Sequence, residues 1–110
     1  MLNNTIVNQI NCIGLNQDLE FLREIVKENL NKLDVEVILI DYYYKDKLRD
    51  LELTEKLNNV MERLTALVKC INTIETKAID YKATELMFKC ESLKAKLINA
   101  MTYINNKYMF

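Results

Sequence analysis

Apolar residues recur through the middle of the chain in alternating steps of three and four: Leu57, Val60, Leu64, Leu67, Ile71, Ile74, Ala78 and Tyr81. That spacing keeps one side of an α-helix apolar along its whole length. Sustained over several heptads, it is the seam of helices packed as in a coiled coil. A long central helix is therefore predicted.

Two further stripes flank it. Upstream, Leu19, Leu22, Val26, Leu30, Leu33, Val37, Ile40, Tyr44, Leu48 and Leu51 advance by about 3.56 residues per step, close to the undistorted helical repeat. A start signal precedes them at Asn16-Gln17-Asp18: Asn16 can cap free amides, and Asp18 and Glu20 put negative charge at the positive end of the helix dipole. Downstream, Leu86, Cys90, Leu93, Leu97, Ala100 and Ile104 repeat the step of four and three.

The stripes do not share one register. Phase is lost between Leu51 and Leu57, where Asp50 and Thr54 are available as caps, so a tight connection is predicted over 49–54. Continuing the central register would place Glu85 and Ser92 in the seam. A turn is thus expected over 75–84 with Asp80 as its best cap, although neither Gly nor Pro marks it. One long bent helix is the competing outcome.

The expected architecture is all-α, a single domain over 1–110 forming an antiparallel three-helix bundle with coiled-coil-like packing. Its helices are expected at about 17–49, 53–78 and 80–107, after an irregular N-terminal arm over 1–15. The arm mixes Asn with Ile and Val and ends at Gly14; a short strand over 5–13 is an alternative for it. A strand also competes within the first helix. Val35 to Ile40 and then Tyr42, Tyr43 and Tyr44 are rich in β-branched and aromatic residues. Helix is the expectation there, because a lone strand would have only the arm to pair with.

Composition narrows the class of function. Of 110 residues 50% are hydrophobic, the net charge is −1, Pro is absent and Gly occurs once. Nothing global draws the chain toward nucleic acid or an anionic membrane. The longest apolar run, Val37 to Ile40, is far short of the ~20 residues that span a bilayer, so no membrane insertion is expected. Cys12, Cys70 and Cys90 are odd in number and far apart, which favours reduced thiols and a soluble intracellular protein. Cys70, at the edge of the central stripe, and Cys90, on the third, read as small buried hydrophobes.

The chemistry of catalysis is poorly represented. With no His, the commonest general base and metal ligand is missing. No C-x-x-C pair offers a zinc site, and one Gly cannot build a phosphate-cradling loop. The expectation is a non-enzyme with no catalytic residue, cofactor or metal.

Surface features point instead to contacts with other macromolecules. Three consecutive helical residues fan around the circumference, so Tyr42-Tyr43-Tyr44 cannot all face one core, and Tyr42 or Tyr43 is a candidate interface anchor. Ile38, Leu39, Met61, Val68, Ile79, Met87, Phe88, Ile98 and Met101 also lie off the main stripes, more apolar surface than one small core readily uses. Tyr42, Tyr43, Phe88, Met101, Tyr108 and Phe110 are the candidate interface residues. Lys82, Lys89 and Lys96 recur every seven residues with Tyr103 next in the series, a candidate nucleic-acid face. The expected function is a small helical scaffold or adaptor that binds protein partners and self-associates. A small subunit of a nucleoprotein assembly is the alternative.

Overall fold

The computed structural model describes residues 4–44 and 51–108, with side chains from residue 11 onward. They form three helices, α1 (Asn4–Tyr44), α2 (Leu51–Asp80) and α3 (Thr84–Tyr108), and no strand among the described residues. The helices run up, down and up. Glu36 on α1 meets Arg63 on α2, Glu75 on α2 meets Lys94 on α3, and Asp41 near the end of α1 meets Lys107 near the end of α3. This is the expected antiparallel bundle, a rod of 66 × 22 × 18 Å. No described helix is long and apolar enough to cross a membrane.

The heptads of α2 are its buried face. Leu57, Val60, Leu64, Leu67, Ile71, Ile74 and Ala78 are all buried, and Leu53 extends the same register one step upstream. Leu51, assigned to the α1 stripe by spacing, is instead 73% exposed at the start of α2. The predicted connection falls partly on residues 45–50, which with Leu48 lie outside the described residues. In α3, Leu86, Cys90, Leu93, Leu97, Ile104 and Tyr108 are buried and Ala100 packs against them.

The N-terminal arm is corrected by the structure. Neither an irregular segment nor a strand over 5–13 forms; α1 is already helical at Asn4. Gly14 lies inside the helix, where a single glycine costs only about 1 kcal/mol. Leu15, buried like Leu19, offsets that cost by packing on the core. Asn16 does not cap: its side-chain amide donates to the Cys12 carbonyl one turn back, at 3.0 Å. Farther along, Leu19, Val26, Leu33 and Ile40 are buried at every seventh position, and residues 35–44 are helical. The α2–α3 turn lies beside Cys12 and Asn16, so α1 continues roughly 12 Å beyond it at 1.5 Å per residue.

The break between α2 and α3 is a turn, and its geometry explains the missing glycine. Lys82 takes the left-handed conformation, φ 55°, that glycine usually supplies after a helix. The Ala83 amide donates to Ala78 O at 2.8 Å and the Lys82 amide to Ile79 O at 3.0 Å, closing the last turn of α2. The Ala83 carbonyl then accepts from Met87, so Ala83, not Asp80, stands at the cap position of α3.

Candidate functional site

The C-terminal three turns of α1 carry two apolar faces. Leu33, Val37, Ile40 and Tyr44 point toward the other helices. At 100° per residue, Val35 and Tyr42 fall within 20° of one another on the opposite side, flanked by Ile38 and Leu39. All four are exposed, Tyr42 at 77% and Ile38 at 67%. Tyr43, also exposed, stands beside Tyr42 with the ring centroids 5.1 Å apart, edge to face. Such a contact steadies both rings on the outside of the bundle.

Leu39 and Tyr43 also border a groove of 540 Å³ between α1 and α2, floored by Ile40 and Val60. Its polar wall is an ion pair: Arg63 Nη2 donates to Glu36 Oε1 at 2.6 Å, and Nη1 lies 3.5 Å from Oε2. Both side chains are about three-quarters buried, which limits screening of the pair by solvent and salt. Arg63 Nε is buried with no hydrogen-bond partner among the described residues.

The upper end of the bundle is closed by a polar cluster. Asp41 accepts from Tyr108 Oη through Oδ1 and from Lys107 Nζ through Oδ2, the latter at 2.7 Å, and Lys107 also donates to Tyr103 Oη at 3.2 Å. The hydrogen bonds from Lys107 and Tyr108 hold the Asp41 carboxyl below its ordinary range. Burial, then the hydrogen bond to Asp41, pushes Tyr108 up to about 12. Asp41 in turn favours the charged form of Lys107.

The sequence-predicted residues are thus distributed unequally. Tyr42 and Tyr43 are on the outward α1 face. Phe88 is 66% exposed on α3, a separate site beside Arg23, Lys89 and Lys96. Met101 packs partly buried against the core, and Tyr108, expected as an exposed anchor, is only 6% exposed because its ring fills the end of the core. Phe110 lies outside the described residues. Val35 was legible only as part of a β-like run; its helical register with Ile38 and Tyr42 marks it as a member of the face. Phe21 and Ile13, 69% and 60% exposed on α1, carried no signal beyond their positions off the stripe.

The lysine face does not assemble as its spacing implied. Lys82 leaves the helix in the left-handed turn, so only Lys89 and Lys96 share a side of α3. Lys89 lies 3.7 Å from Glu85 one turn back.

The thiols divide by position. Cys90 is buried, and that burial raises its pKa away from the reactive thiolate. Cys70, expected buried, is exposed because Leu67, Ile71 and Ile74 already fill the α2 seam. No group of three or more potential metal-ligating side chains occurs among the described residues. No family model matches this chain, and comparison with curated proteins and with solved structures finds no similar one.

Proposed function

We propose that this chain is a small, non-enzymatic helical scaffold or adaptor that acts by protein–protein contact through the outward face of α1. One observation carries the proposal: Val35, Ile38, Leu39, Tyr42 and Tyr43 form a continuous exposed apolar face on a helix whose core face is separately satisfied. Scattered surface apolar residues are ordinary, but a contiguous stripe rich in tyrosine is the composition of interface cores. Its mechanism is burial of this stripe against a partner helix, read at positions i, i+3, i+4 and i+7. The absence of His from the sequence and the raised pKa of Cys90 are consistent with a non-enzyme. Work in a reducing, intracellular compartment fits the odd number of cysteines.

The nucleoprotein alternative lacks comparable support, since Lys82 stands in the turn and Lys89 is near Glu85. The test uses the full chain as bait in extract from its native host, beside the variant I38E/Y42E. Both positions are exposed, so the variant should keep wild-type far-UV circular dichroism. A partner retained by the wild type and lost by the variant supports the proposal. Identical capture by both overturns it.

A further inference from the structure

We infer that the occupant of the outward α1 face is a second copy of the same chain, packed antiparallel about a two-fold axis between Ile38 and Leu39. The inference rests on the adaptor proposal and names its partner.

Area is the first argument. The two tyrosines are 77% and 65% exposed, and Val35, Ile38 and Leu39 are 56%, 67% and 48% exposed. Together they leave roughly 600 Å² of side-chain surface outside, at the upper end of what a typical monomer shows in its largest apolar patch. A standard interface uses about 800 Å² per partner, somewhat more than half of it apolar. The stripe is therefore about the size of the apolar part of one complete half-interface.

Self-complementarity is the second. A two-fold axis brings one patch against itself. With the axis between Ile38 and Leu39, antiparallel pairing sets Ile38 against the second copy's Leu39, and Val35 against the second copy's Tyr42. A small aliphatic residue then faces the ring of each Tyr42, while Tyr43, level with the second copy's Asp34 in this register, lies at the rim of the contact. Leu39 and Tyr43 lead onward into the α1–α2 groove, which gives the incoming helix a recess on that flank.

Charge selects the orientation. Below the patch, the same side of α1 carries exposed Glu24 and Glu28. Parallel pairing would stack each against its own copy, two like-charge contacts at successive turns. Antiparallel pairing about the Ile38–Leu39 axis carries them away from one another. The same side chains that blunt a parallel pair leave the antiparallel one undisturbed.

Sedimentation equilibrium of the full chain over about 1 to 100 μM tests the association. The expected result is a dimer for the wild type and for Phe88→Ser, and at least a tenfold weaker dimer for I38E and, separately, for Tyr42→Ser, all with unchanged helicity. Orientation is read from spin labels at Glu24→Cys in a Cys12→Ser/Cys70→Ser background, leaving the buried Cys90 in place. Antiparallel pairing sets the two labels about 45 Å apart along the axis, and parallel pairing within about 15 Å. A monomer throughout the range overturns the second-copy inference, while the adaptor proposal still stands or falls on the differential capture. A dimer indifferent to I38E and Tyr42→Ser, or a short label distance, also overturns it.

Discussion

Tyr108 donates its phenolic proton to Asp41, tying the last turn of α3 to the last turn of α1. The tyrosine is buried, whereas Asp41 keeps a second partner in Lys107 and some contact with solvent. Tyr108→Phe should therefore cost about 1 kcal/mol, the net worth of one hydrogen bond, and Tyr108→Ala about 3 to 5 kcal/mol for the lost ring. Urea unfolding followed by circular dichroism measures both.

The same pair predicts a pH profile with two edges. Asp41 has a lowered folded-state pKa, so its contribution is present above its ordinary value of 3.8 and is lost as pH falls below it. Tyr108 has a raised one, so its contribution is present below its ordinary value of 10.0 and disappears as pH climbs toward about 12. The stability difference between the wild type and D41N/Y108F should be widest near neutral pH and narrow at both ends. A difference independent of pH would contradict the cluster.

Gly14→Ala should stabilise the protein by about 0.5 to 1 kcal/mol. Gly14 lies inside α1, and an added methyl group would meet nothing within 4 Å among the described residues beyond the backbone of its own helix and its two chain neighbours. In an extended arm the same substitution would bring no helical gain. The urea midpoint of the variant therefore reads directly whether α1 passes through residue 14.

Lys82→Gly should also stabilise. A side chain in the left-handed region costs roughly 1 to 2 kcal/mol, which glycine relieves, offset in part by its greater freedom in the unfolded chain. A net gain of about 0.5 to 1 kcal/mol is expected, and Lys82→Val should lose stability instead. Thermal melts of the two variants should move in opposite directions. A shared direction would exclude the left-handed turn.

Glu75 and Lys94 form the most enclosed ion pair described, Nζ to Oε1 at 2.8 Å with side chains 16% and 18% exposed. Lys94 also donates to Asn72 Oδ1, while Glu75 Oε2 is buried without a hydrogen-bond partner among the described residues. Glu75→Leu alone should cost about 1 to 2 kcal/mol, because it leaves the largely buried Lys94 ammonium with Asn72 and solvent as its remaining partners. The double variant Glu75→Leu/Lys94→Met should recover most of that loss. A double-mutant cycle by chemical denaturation gives the coupling.

How much could be read beforehand depended on whether a residue's neighbours lay on its own helix. The α2 heptads were legible because a helix that must bury one side repeats its apolar residues with the helical period. The turn at 81–83 was legible as a phase break between two registers, but not its chemistry. Lys82 stands where glycine is customary, and only the hydrogen bonds from Ala83 and Lys82 to the end of α2 reveal it. Asn16 and Asp18 imitate a cap, yet α1 already runs through them from Asn4. Local signals of that kind give way when the chain upstream still has a residue such as Leu15 to pack.

The candidate face was half legible. Tyr42 and Tyr43 stand out by geometry alone, whereas only the packing of α3 buries Tyr108 and half-buries Met101. Lys82, Lys89 and Lys96 shared a face only while the helix was assumed to include the first of them.

The amino-acid sequence by itself determined that this protein is built of long amphipathic helices, since periodicity and the absence of proline act within each segment. Only the tertiary structure decided which apolar residues are spent in the core and which remain outside. Burial depends on the neighbouring helices, and no single stripe contains that information. The outward stripe from Val35 to Tyr43 is apolar in composition just as the inward one is, and the packing of α2 and α3 on one side of α1 separates them.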